Sequence, residues 1–110
     1  MNYLERQVEI IGLLFRAMDG SAEEGYSSAA CRFRYLPEDD GSLGVDSSFR
    51  YSIEGVSVSA LLNDMGDKSC VELVCDLHDV MRMHTGGNWT EFDIVVNSDK
   101  TVTAQFFYSA

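Results

Sequence analysis

A chain of 110 residues is long enough to bury one core without metal or disulfide staples and too short for a catalytic domain plus a regulatory one, so one domain is expected over residues 1–110. Eighteen Asp and Glu against eight Lys and Arg give a formal charge of −10, half in residues 1–55 and half in residues 56–110. That excludes an acidic tail as the source and speaks against binding nucleic acid or an anionic membrane, while it speeds encounter with a basic partner.

Cys31, Cys70 and Cys75 form no CxxC pair, and their odd number argues against a disulfide framework, so a reducing compartment is expected. The apolar run Ile10 to Phe15 is short, interrupted by Gly12 and preceded by Glu5 and Glu9. A secreted or membrane-spanning protein is therefore not expected, and a cytoplasmic location is.

Residues 2–18 read as an amphipathic helix with Leu4, Val8, Ile11, Phe15 and Met18 on the core stripe, opposed by Glu5, Glu9, Gly12 and Arg16. Ile10, Leu13 and Ala17 form a flanking stripe. From Tyr26 to Leu36 the period becomes two, with Cys31, Phe33 and Tyr35 on one face and Arg32 and Arg34 on the other. The breaker Pro37-Glu38-Asp39-Asp40-Gly41 turns the chain into a second strand, Leu43 to Ile53, and pairing Tyr35 with Val45 brings Arg34 beside Asp46.

Glu54 to Gly66 fits either a short strand running into a helical turn or a loop packed by its apolar residues. Asp67 to His84 predicts a helix, since Ser69 and Glu72 have the spacing of a capping box and Gly86-Gly87 supplies the stop. Leu73, Val74, Leu77, Val80 and Met81 form its apolar face, and Glu72, Asp76 and Asp79 an acidic stripe opposite.

Residues 88–108 read as a closing β-hairpin. A loop at Ser98-Asp99-Lys100 sets Val96 opposite Val102, Ile94 opposite Ala104 and Phe92 opposite Phe106, so both arms share one apolar face. Simple alternation puts Trp89, Glu91, Asp93, Thr103, Gln105 and Phe107 on the other. The expected fold is α+β: a two-layer sandwich with two helices on one face of a mainly antiparallel sheet of four or five strands, its opposite face open.

Catalytic constellations are hard to assemble from these residues. Cys75 and His78 neighbour each other on a helix while His84 points elsewhere, which argues against a metal. The cysteines lack an activating base or oxyanion motif, and the glycines lack the context of a phosphate cradle. Neither catalytic residues, a metal nor a cofactor are expected.

Two stretches, Phe33-Arg34-Tyr35-Leu36-Pro37-Glu38-Asp39-Asp40-Gly41 and Trp89-Thr90 through Asp99-Lys100 to Phe106 and Tyr108, resemble the YezG-like bacterial antitoxin or immunity proteins. These are small acidic cytosolic proteins that neutralise the toxic domain of a polymorphic or contact-dependent growth-inhibition toxin. The tryptophan that family often places just before its first strand is missing here, where Glu23, Glu24 and Gly25 stand. The resemblance implies binding to the C-terminal domain of a cognate toxin, a nuclease in the leading reading, by a monomer or weak homodimer. Trp89, Glu91, Asp93 and Phe107 are the expected contact residues, with Glu72, Asp76 and Asp79 as a second patch. The rival readings are a small ligand-binding or enzymatic domain and a secretion adaptor.

Overall fold

A computed structural model describes residues 3–37, 40–41, 43–64, 66, 68–86 and 89–108. The elements run α1 (Tyr3–Ser21), β1 (Ser28–Pro37), β2 (Leu43–Ile53), β3 (Val56–Ala60), α2 (Cys70–Thr85), β4 (Trp89–Val96) and β5 (Val102–Tyr108). The five strands form one antiparallel sheet in the order β3-β2-β1-β4-β5, so the expected α+β sandwich is observed with the fifth strand present.

β3 is the piece that periodicity left open. Ile53 pairs with Val56 across a two-residue turn in which Glu54 (φ 50°) and Gly55 (φ 78°) both lie in the left-handed region. Turns of this kind match the twist of the flanking strands, but they favour Asn-Gly over Glu-Gly, so the sequence carries no strong signal for this one. The closing hairpin uses a three-residue loop: Lys100 N–H donates to the Asn97 carbonyl at 2.9 Å, Asn97 N–H to the Thr101 carbonyl at 2.8 Å, and Lys100 takes φ 70°. Its register is as read from the sequence, Val96 to Val102, Ile94 to Ala104 and Phe92 to Phe106. Likewise Tyr35 pairs with Val45.

α2 begins at its cap. Ser69 Oγ accepts from Glu72 N–H at 3.1 Å, and Gly86 closes the far end at φ 71°, donating its N–H to the Arg82 carbonyl at 3.0 Å. The Asp67 start and the Gly87 stop expected from the sequence lie outside the described residues.

The helices lie side by side and run in opposite directions, since the Tyr3 and His84 rings stack at 4.8 Å while Arg6 reaches Asp76 at 3.2 Å. Between them and the sheet lies the core: Ile10, Leu14, Met18, Leu73, Val74, Leu77 and Met81 against Cys31, Phe33, Phe49, Tyr51, Phe92, Ile94 and Val96. Phe33, Phe92 and Phe106 stack in a ladder across β1, β4 and β5, with centroids 5.0 and 5.2 Å apart, each contact worth roughly 0.5–1.5 kcal/mol beyond area burial.

Two sequence expectations about the apolar layer are corrected. The core stripe of α1 is Ile10, Leu14, Ala17 and Met18, whereas Leu4 and Val8, expected inside, are 57% and 71% exposed. Apolar residues cover more than half the circumference of this helix, so the 3.6-residue period alone cannot choose between adjacent stripes. On β5 the apolar set has the expected register but little cover, with Val102, Ala104 and Tyr108 exposed and Phe106 half-buried.

Two of the protons that the fold holds tightly sit on buried core side chains. Burial pushes the Cys31 thiol up from 9.0 to about 12. Burial, then the hydrogen bond to Asp19, pushes the Tyr26 hydroxyl up from 10.0 to about 12. In both cases the folded state binds the proton more tightly than the unfolded chain. The stability they contribute is therefore present below pH 9 and is lost as the pH rises from 9 towards 12. Urea unfolding across that window should show a steep loss of stability that Cys31→Ala and Tyr26→Phe each flatten; a profile unchanged by both substitutions would contradict the assignment.

Candidate functional site

No described element covers the sheet face away from the helices, and β1 places Arg32 and Arg34, both exposed, along its centre. β4 lies next to β1, so Arg32 is paired with Asp93 and Arg34 with Glu91, while on the other side Arg34 is paired with Asp46. Arg32 clamps Asp93 through Nε at 2.7 Å and Nη2 at 3.0 Å, and its Nη1 lies 4.0 Å from Glu91. Arg34 sits 3.9 Å from both Glu91 and Asp46. The result is an alternating row, Asp46, Arg34, Glu91, Arg32, Asp93. Arg50 lies on the same face and donates to Ser59 Oγ at 3.2 Å. Asp93, by hydrogen bond and charge, holds the Arg32 guanidinium above its ordinary pKa.

Three arginines thus offset three carboxylates on this face, so the −10 charge is carried elsewhere. Asp19, Glu23, Glu24, Glu54 and Asp99 gather at the end of the molecule where β1 and β5 begin and β2 and β4 end. Glu91 and Asp93, expected as outward acids, face outward but are half-buried and engaged by arginine. Phe107 is also on this face, half-buried, with the Arg32 guanidinium carbon 5.3 Å from its ring centroid.

Trp89 is not on it. The expectation of an outward Trp89 is overturned by a bulge: Trp89 pairs with Tyr108 and Glu91 with Phe107, leaving Thr90 without an opposite residue. One extra residue reverses the alternation, and Trp89 turns into the core at 0% exposure. There its Nε1–H donates to Met81 Sδ at 3.2 Å, and its ring meets those of His78 (4.8 Å), Phe92 (4.9 Å) and Phe106 (5.6 Å). His78 is also buried and stacks on Tyr35 at 3.7 Å.

The helix acids do separate work. Glu72 closes the Ser69 cap, with Ser69 Oγ donating at 3.3 Å, and Asp76 accepts from Lys68 at 2.6 Å and Arg6 at 3.2 Å. Asp79 is exposed and has no ion pair among the described residues. They do not form one free acidic stripe.

β5 completes the site. It is an outer strand of seven residues, Val-Thr-Ala-Gln-Phe-Phe-Tyr, with no charge and no proline. Its first four residues are exposed, and so is Tyr108, at 55%. Outer strands present unpaired backbone N–H and C=O groups, and natural sheets blunt them with lysine, proline, bulges or shortness. The opposite outer strand, β3, is short at five residues, whereas the bulge beside β5 lies on β4, at its Trp89 end.

Among the described residues no three His, Cys, Asp or Glu side chains gather in metal-binding geometry, and no helix is long and apolar enough to cross a membrane. No family model matches the chain. Over 81 residues, 74% of its length, it is 74% identical to a Stenotrophomonas maltophilia protein named "Chorionicgonadotropic hormone-like protein". The matched region is 18% of that protein, so the chain spans less than a fifth of the relative.

Proposed function

We propose that this chain is a bacterial immunity protein that binds the toxic domain of a cognate contact-dependent or polymorphic toxin in the cytoplasm and neutralises it through the closing hairpin. The observation that carries the reading is β5: an uncharged, exposed outer strand that carries Phe107 and lies beside the Arg32–Asp93 pair. A partner strand added to β5 gains backbone hydrogen bonds, while the neighbouring alternating charges and aromatic ring select which partner docks. The charge of −10 supports a basic partner such as a nuclease domain. Carboxylates at the end of the sheet steer it, and the charge-balanced face receives it. That much the same sequence occurs inside a longer bacterial chain fits a portable binding module.

Co-expression with the toxin domain encoded beside this chain tests the reading. Growth should be restored, a 1:1 complex should form whose association slows with added salt, and amide hydrogen exchange should slow along Val102–Tyr108. Undiminished toxicity in the presence of excess chain would refute it.

A further inference from the structure

Away from the sheet, α1 and α2 leave a cleft of about 290 Å³ lined by Leu13, Ala17, Leu73 and Cys70 below and by Arg6, Arg16 and Lys68 around the mouth. Three of the eight basic residues of a strongly acidic chain therefore border one small cavity, and the only carboxylate lining it among the described residues is Glu9. Arg6 and Lys68 are held in place by Asp76, which accepts from both, at 3.2 and 2.6 Å. Arg6 also donates to Glu9 at 2.7 Å. Arg16 is exposed and has no ion pair among the described residues.

The floor is apolar and stays so. Ala17 and Leu73 are buried, and burial together with the hydrogen bond to Asp64 pushes the Cys70 thiol up to about 12, so it carries no charge near neutral pH. The helix N-terminus is not the attraction, because the N–H groups of Cys70 and Glu72 are already taken by Asp64 and Ser69.

We propose that this cleft binds a small amphiphilic carboxylate, with its apolar chain on Leu13, Ala17 and Leu73 and its head group between Arg16 and Lys68. An apolar wall with a few convergent charges is the usual make-up of a ligand site. The cavity is at the small end of such sites, which suits a ligand of roughly ten non-hydrogen atoms. Arginine receives a carboxylate in a two-point fork, and lysine adds a point charge. This binding is independent of the hairpin, because the cleft lies on the helix side of the molecule.

Octanoate is the probe, titrated into the ¹⁵N-labelled chain, with 1-octanol as its uncharged counterpart. Saturable amide shifts are expected at residues 6–17 and 68–73, and octanoate should bind at least about tenfold more tightly than octanol, the worth of one charge-assisted contact. Arg16→Gln with Lys68→Gln, both at exposed positions, should remove that preference while leaving the spectrum folded. The proposal is overturned if octanol binds as tightly as octanoate, if the shifts are unsaturable or spread over the sheet, or if the double variant keeps the preference. Toxin neutralisation should be the same for the double variant and the parent, so the two readings stand or fall separately.

Discussion

Trp89→Ala should lower the unfolding free energy by about 3–5 kcal/mol, the range for removing a large buried aromatic. Single domains of this size have about 5–15 kcal/mol in total, so the variant sits near the threshold of folding. The magnitude follows from what the ring touches. It packs between α2 and the sheet against His78, Phe92 and Phe106, and its N–H has Met81 as partner, so alanine leaves a void in the centre of the aromatic cluster. Trp89→Phe, which keeps most of the packing and loses the N–H, should cost clearly less. Because this is the single tryptophan, urea unfolding must be followed by far-ultraviolet circular dichroism rather than fluorescence. Had Trp89 been an exposed binding anchor, alanine would change stability by no more than about 0.5 kcal/mol and abolish partner binding instead. That outcome would mean the bulge at Trp89 is misassigned.

Charging the outer strand should do the opposite. Thr103→Lys with Gln105→Lys changes two exposed side chains of β5, so stability should shift by less than about 1 kcal/mol. Binding of the toxin domain should fall by on the order of 100-fold, because charged side chains on an edge oppose the addition of another strand. A basic partner would also be repelled by lysine, and Thr103→Glu with Gln105→Glu separates the two causes. If strand addition is the mode, both signs weaken binding; if the acidic field alone brings the partner in, glutamate strengthens it and speeds association at low salt. Tighter binding by the glutamate variant would remove β5 from the proposal and leave only the charge.

Much of the fold was legible because its signals are local. The register of both long hairpins was readable as far as the bulge at Trp89: alternation defines the faces, and Ser98-Asp99-Lys100 leaves one register in which Val96 meets Val102. The ends of α2 were readable for the same reason, since Ser69, Glu72 and Gly86 lie within a turn of the groups they satisfy. β3 was not, because its turn uses Glu54 where Asn is favoured and its alternating serines and small apolar residues carry little signal.

The site was less legible than the fold. Arg34 could be matched to Asp46 within a hairpin, but nothing local says that β4 returns beside β1. The Arg32–Asp93 clamp that neutralises the expected acids therefore could not be foreseen. Trp89 was misplaced because a bulge leaves the alternation of residue types intact while reversing the direction of one side chain.

By itself the sequence determined the order of the elements other than β3, the pairing within the two long hairpins up to the bulge, the caps of α2 and the size of the negative charge, each set by contacts between residues close along the chain or by composition alone. Only the tertiary structure decided which stripe of α1 is buried, that Trp89 is core, that Glu91 and Asp93 are held by arginine, and that β5 is left uncovered. These depend on which distant elements come to lie together. A helix with two apolar stripes buries whichever one its neighbour covers, and a strand is an edge only because no other strand reaches it.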